Sequence, residues 1–184
     1  EADRMTRLVN DLLQLSQLDN RQMNWKFEKM SLPNLIKSVV DRMQMEAKAR
    51  NQVLEFAVRG EVPDIEADYG RMEQVIVNLV SNGIKYTPEG GKVSVYVGKI
   101  YRDVYFKVVD TGIGIPESDL DRIFERFYRV DKARSREMGG TGLGLAIAKE
   151  IVEAHGGTIS IFSKLGEGTE VTVRLPVKQK KIQD

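Results

Sequence analysis

Apolar positions in the first 19 residues keep a helical rhythm. Met5, Leu8, Leu12 and Leu15 step by three or four, and Val9 and Leu13 widen the stripe. The other face is charged or amide. So wide a stripe on a terminal helix suits a helical bundle, intermolecular or not, with docking on its own domain as the alternative. Asp19-Asn20-Arg21-Gln22 breaks the rhythm and sets a domain boundary. Alternation in 25–30, with Trp25 and Phe27 against Lys26 and Glu28, predicts a strand. Ser31 caps the next helix, with Pro33 in its first turn and Leu32, Leu35, Ile36, Val39, Val40 and Met43 inward, to about residue 50. Short strands are predicted at 54–58 and 65–67.

Asp68 is a good N-cap for a helix reaching Tyr86, with Met72, Val75, Ile76, Leu79, Val80 and Ile84 on its apolar face. Strands follow at 92–99 and 104–110. A glycine loop at 111–116 leads to a predicted amphipathic helix over 117–127, with Leu120, Ile123 and Phe124 inward. The charged stretch 128–138 has no periodicity. Residues 139–157 combine a glycine-rich loop with a helix whose apolar positions include Leu143, Ile147, Ile151 and Val152. Strands at 158–163 and 169–175 close the domain, and 178–184 is expected to fray. Mixed helices and hairpins predict an α/β sandwich with one mixed sheet.

The 184 residues hold 28 Lys plus Arg against 27 Asp plus Glu, so the net charge of +1 argues against a general nucleic-acid or membrane-surface binder. The 41% apolar and 30% charged shares read as a water-soluble globular chain. There is no cysteine, which excludes disulfides and thiolate metal sites. No apolar run approaches the roughly 20 residues of a membrane span. The first residues begin mid-helix without a cap, so a piece of a longer protein is expected. His155, the only histidine, falls in the last turn of a helix ended by Gly156 and is read as structural.

Three features could carry chemistry. Asn78, Asn82 and Lys85 share one helix face, where amides can ligate Mg2+ or donate to phosphate and the ammonium adds charge. A solvated polar stripe would look the same. Asp110 ends an apolar strand before Thr111-Gly112-Ile113-Gly114. Its carboxylate could accept the exocyclic amine of adenine between Ile113 and Ile115, or simply form a turn. Gly139, Gly140, Gly142 and Gly144 crowd the loop before a helix, where backbone N–H groups can hold a phosphate. Plain turn chemistry also uses such glycines.

Together these features resemble the ATP-binding domain of the gyrase, Hsp90, histidine kinase and MutL superfamily. The matching motifs are Asn78-Leu79-Val80-Ser81-Asn82-Gly83-Ile84-Lys85-Tyr86, Asp110-Thr111-Gly112-Ile113-Gly114-Ile115-Pro116, Ile123-Phe124-Glu125-Arg126-Phe127-Tyr128-Arg129, Gly140-Thr141-Gly142-Leu143-Gly144-Leu145 and Gly166-Glu167-Gly168-Thr169. The wording of 127–135 is similar to cell-wall sensor kinases. The resemblance implies a Bergerat-type two-layer α/β sandwich over 21–177, a dimerisation helix over 1–20 and a flexible tail over 178–184. It implies ATP and Mg2+ as cofactors, with Asn82 on the metal and Asn78 beside it. Lys85 and Arg129 would meet phosphates, Tyr86 would line the nucleotide, and Asp110 would read the adenine amine. Gly112, Ile113, Gly114, Ile115, Gly140, Thr141, Gly142, Leu143, Gly144 and Leu145 would shape the loops, with Thr169 near the base. Residues 128–140 would be a lid. Gly83 stands where the family usually has alanine.

In the gyrase and Hsp90 branches a glutamate four residues before the metal-binding asparagine activates water. Here that position is Asn78, which cannot act as a general base. The resemblance therefore implies a sensor histidine kinase, which passes the γ-phosphoryl group to a histidine in an upstream helix and on to a response regulator receiver domain. The parent protein would be a homodimer joined through its dimerisation domain, reaching the membrane only through other segments, with this part on the cytoplasmic side. An ATPase clamp, a serine-kinase anti-sigma factor and a non-catalytic nucleotide sensor are the alternatives.

Overall fold

A computed structural model of the chain describes residues 1–130 and 140–179. It contains α1 (Ala2–Asp19), β1 (Phe27–Met30), α2 (Leu32–Ala49), β2 (Val53–Arg59), β3 (Ile65–Asp68), α3 (Tyr69–Tyr86), β4 (Lys92–Ile100) and β5 (Asp103–Asp110). Then come α4 (Glu117–Leu120), α5 (Gly144–Ala154), β6 (Thr158–Lys164) and β7 (Gly168–Pro176).

Five strands form one sheet in the order β2-β4-β5-β7-β6, and β1 and β3 pair as a separate ribbon. Only β2 and β4 run parallel; the other neighbours are antiparallel. The register places Val97 opposite Phe106, and Phe106 opposite Val173. Period-two alternation then lines one face with Val95, Val97, Val104, Phe106, Val108, Val171, Val173 and Leu175, all buried. Met72, Val75, Ile76, Leu79 and Ile84 of α3, Leu35, Ile36 and Val39 of α2, and Ile147, Ile151 and Val152 of α5 fill the same core. The opposite face is polar: Lys107 pairs with Glu170 at 3.2 Å, and Arg59 lies over Tyr96. One apolar and one polar sheet face make the two-layer sandwich.

The helix boundaries follow their caps. Ser31 Oγ accepts the Asn34 N–H, and Asp68 Oδ1 accepts the Arg71 N–H at 3.1 Å. The helix predicted over 117–127 is instead one turn, Glu117–Leu120. Beyond it the chain continues in three-residue turns, Arg122 N–H to Asp119 O and Glu125 N–H to Arg122 O. Phe127 leaves the helical region at φ 65° so that its N–H can reach Gly142 O at 2.9 Å. Helical periodicity is present there, but that tertiary bond takes the backbone elsewhere. Gln179, expected to fray, is tied by its N–H to Glu66 and by its amide to His155 O. Residues 180–184 lie outside the described residues.

α1 docks on its own domain with part of its stripe and leaves the rest exposed. Leu15 is buried in the domain core and Leu8 and Leu18 pack against it, while Met5, Val9, Leu12 and Leu13 stay exposed. Polar bonds fix its pose: Gln14 and Gln74 exchange amide bonds at 2.7 Å, and Arg126 forks onto both Asp19 oxygens at 2.8 and 2.5 Å.

His155 is a structural joint. It is 1% exposed, packed edge-on by Trp25 and Phe27. Nδ1 donates to Ile151 O at 2.7 Å, so Nε2 is free to accept the Asp68 N–H at 3.0 Å. Burial pulls its pKa below the ordinary value, against weaker opposing effects of the Ile151 carbonyl and the Asp68 charge. The unfolded chain therefore binds a proton more readily than the folded one. His155 contributes stability above the ordinary pKa of about 6.5, and loses it as pH falls toward the depressed folded value. Urea unfolding at stepped pH should show wild-type stability falling below about pH 6.5, with a shallower fall in His155→Gln. Equal slopes would remove His155 from this role.

Candidate functional site

Three segments meet at one end of the sheet. β5 delivers Asp110 to its last position, directly opposite Thr169 of β7. That register lets Asp110 Oδ1 accept the Thr169 N–H at 3.2 Å as well as the Gly112 N–H at 2.8 Å. Among the described residues no hydrogen bond takes Oδ2. Burial raises the carboxyl pKa, and the two N–H bonds oppose it. The following loop is strapped on both sides. Ile113 N–H donates to Tyr86 O at the end of α3, Gly166 N–H donates to Ile113 O, and Ile115 N–H donates to Ser163 Oγ. Gly114 holds φ 71° against the Lys164 carbonyl, where a side chain would collide.

α3 supplies the second wall. Asn78 Nδ2 donates to Gly144 O at 3.2 Å, bracing the start of α5. Asn82, one turn on, is half-buried, and among the described residues nothing hydrogen-bonds its amide. Gly83 is pressed against β4: an added Cβ would lie 3.2 Å from Val93, so the usual alanine would force a shift. Burial, then the positive charge of Arg7, lowers the Lys85 pKa, with Glu46 opposing.

The third wall is the loop into α5. Gly142 adopts φ 77° with Phe127 and Arg129 packed where a Cβ would go. α5 begins at Gly144 with no side-chain cap on its N-terminal N–H groups. Such unpaired donors at a helix start favour an anion.

These walls enclose a cavity of about 420 Å³. Asn78, Asn82, Lys85, Tyr86, Asp110, Ile113, Gly114, Ile115, Arg129, Gly140, Thr141, Gly142, Gly144, Leu145 and Thr169 all line it. Two expected site residues do not. Gly112 sits behind the wall, wedged against Asp110 and Tyr86 O, where it sets the backbone path. Leu143 turns its side chain fully into the core, and its N–H donates to Thr141 Oγ1 at 3.3 Å, so it bears on the loop through its backbone. Its burial agrees with its place in the apolar stripe of α5. Arg129, expected to face a phosphate, here donates to Gly140 O. Of the expected lid, residues 131–139 lie outside the described residues, Gly139 among them.

Among the lining residues that were not expected, two are charged, Arg7 and Asp11 of α1. Asp11 Oδ2 accepts the Thr141 hydroxyl at 2.9 Å. Their spacing of four puts them on one helix face, but no local pattern says where that face docks.

The residues fit Mg·ATP. Asp110 and the isoleucines suit a purine, and the open start of α5 suits phosphate. Among the described residues no cluster of three His, Cys, Asp or Glu could hold a metal. A single asparagine oxygen at Asn82 therefore matches an ion that keeps water and substrate oxygens in its shell, as Mg2+ does.

Comparison with known proteins points the same way. The family described as histidine kinase-, DNA gyrase B-, and HSP90-like ATPase matches residues 67–179. Sensor histidine kinase WalK of Bacillus subtilis (strain 168) is 46% identical over 190 residues, covering 100% of this chain and 30% of WalK. The chain thus spans under a third of that relative's length. The nucleotide-free catalytic domain of histidine kinase ThkA superposes with a TM-score of 0.73 at 31% identity, covering 83% of this chain and 97% of that domain. Full-length ShkA in complex with AMPPNP gives 0.85 at 31% identity over 97% of this chain and 37% of its own. ThkA in complex with response regulator protein TrrA gives 0.79 at 28% identity, over 99% of this chain and 50% of that one.

Proposed function

The chain belongs to the histidine kinase-, DNA gyrase B-, and HSP90-like ATPase family, and from that membership we propose that it is the ATP-binding catalytic part of a two-component sensor histidine kinase. Bound Mg·ATP supplies the γ-phosphoryl group, with the metal neutralising charge on the phosphate oxygens. Asn82 would hold the metal. Lys85 and the N–H groups opening α5 would hold phosphates, and Asp110 Oδ2 would accept the adenine amine. Arg129 would leave Gly140 O to meet the γ-phosphate. The acceptor would be a histidine outside these residues, and the next acceptor an aspartate on a response regulator. A parent dimer joined through the helix that α1 ends fits the exposed Met5, Val9, Leu12 and Leu13. Among the described residues no helix is long and apolar enough to cross a membrane. Any membrane attachment of the parent is proposed to lie in its other segments.

The observation that carries this reading over an ATPase clamp is Asn78. It occupies the cavity wall where a hydrolytic site needs a base, its amide nitrogen is committed to Gly144 O, and an amide takes no proton from water. Positioning without a base favours transfer to a well-placed nucleophile. His155 is a poor candidate for that nucleophile, because it is buried and Nε2 is occupied. The test follows γ-labelled ATP. The 184-residue chain alone should stay unlabelled and release phosphate slowly; rapid multiple-turnover release would favour the clamp.

A further inference from the structure

α1 reaches the cavity with a cation that the motifs do not include. The Arg7 side chain lines the same cavity as Asn82, Lys85, Gly142 and Gly144. Its Nε makes one long bond, 3.4 Å to Asp3 O, within its own helix. Among the described residues no hydrogen bond takes its terminal nitrogens. The helix that carries it is pinned next to the cavity. Asp11 bonds Thr141, Gln14 bonds Gln74, Leu15 is buried, and Asp19 takes both arms of Arg126.

Two cations on one cavity are costly unless an anion comes between them. Arg7 and Lys85 feel each other's charge. Asp11 offsets Arg7 in part, but its carboxylate also accepts from Thr141. A guanidinium with open N–H groups, facing a cavity that also offers an ammonium and an uncapped helix start, is built for a polyphosphate.

We propose that Arg7 is a phosphate-contacting residue of the nucleotide site, which is therefore assembled from the catalytic domain and the helix that precedes it. The ligand class is the magnesium-bound polyphosphate of a nucleoside triphosphate. The inference rests on the nucleotide reading of the cavity and extends it to α1. A consequence is that phosphate occupancy and the pose of α1 are linked: whatever moves α1 changes phosphate affinity, and phosphate stiffens α1.

The experiment is calorimetry on the 184-residue chain with Mg·ATP and with adenosine. Arg7→Gln removes the charge, Arg7→Lys keeps it, and Arg4→Gln alters an α1 arginine outside the cavity. Arg7→Gln should weaken ATP binding about tenfold while adenosine affinity stays unchanged. Arg7→Lys should recover part of the loss, and Arg4→Gln should behave as wild type. Circular dichroism checks the fold, and an exposed position such as Arg7 should tolerate the change. Unchanged ATP affinity in Arg7→Gln, tighter binding, or an equal loss for ATP and adenosine would each overturn the proposal alone. A wild-type chain that binds no ATP would overturn the nucleotide reading and this inference together.

Discussion

Replacing Asn82 with alanine is expected to weaken ATP binding in the presence of Mg2+ by more than about 100-fold, and to leave adenosine binding intact. Asn82 lies on α3 facing the cavity, with its amide unbonded among the described residues. Helix propensity favours alanine over asparagine, so the substitution should stabilise α3 slightly. A loss of affinity therefore cannot be blamed on the helix. Among the described residues no cluster of three His, Cys, Asp or Glu could take over the ion. Titration calorimetry with Mg2+ and with EDTA separates the cases. Wild type should lose most of its ATP affinity in EDTA, and Asn82→Ala should match that weak binding in either buffer. Equal affinity of Asn82→Ala and wild type in Mg2+ would refute the assignment.

The second large effect is expected at Asp110. Asp110→Asn preserves shape and leaves an oxygen to accept the Gly112 and Thr169 N–H bonds. The other end becomes an NH2 where Oδ2 was. A donor would then face the adenine amine, itself a donor. The site loses a charge-assisted bond and gains a buried mismatch, about 1.5–3 kcal/mol, so ATP affinity should fall roughly 10- to 150-fold. The O6 of guanine is an acceptor and would suit the new amide. GTP should therefore weaken far less, and the preference for ATP over GTP should narrow or invert in competition binding. Parallel loss of both nucleotides would place Asp110 in loop structure only.

Much of this site was legible because its chemistry is local. Asn78, Asn82 and Lys85 share a face through helical spacing alone, and Asp110 is marked by an apolar strand that stops at glycines. α3 matched its predicted span because the cap and the apolar face agreed. Residues 121–127 had the right period for a helix, yet a single bond from Phe127 N–H to Gly142 O outweighs it. Local rhythm does not record a partner 15 positions away. Leu143 falls between two motif glycines, yet the buried stripe of α5 takes its side chain into the core. Arg7 and Asp11 were invisible for a third reason. Their helix read as a bundle helix with docking on its own domain as the alternative, and it is tertiary contacts such as the burial of Leu15, the Gln14–Gln74 pair and the Asp19–Arg126 fork that turn its polar side toward the cavity.

This cavity is expected to deliver a phosphoryl group to a histidine rather than to water. The measurement supplies γ-labelled ATP and Mg2+ to the chain joined to the upstream helix proposed to carry the acceptor, then maps the label. Acid-labile, base-stable label is expected on a histidine outside these 184 residues, with none on His155 and little free phosphate. Label on His155, or free phosphate accumulating with no phosphohistidine, would contradict it.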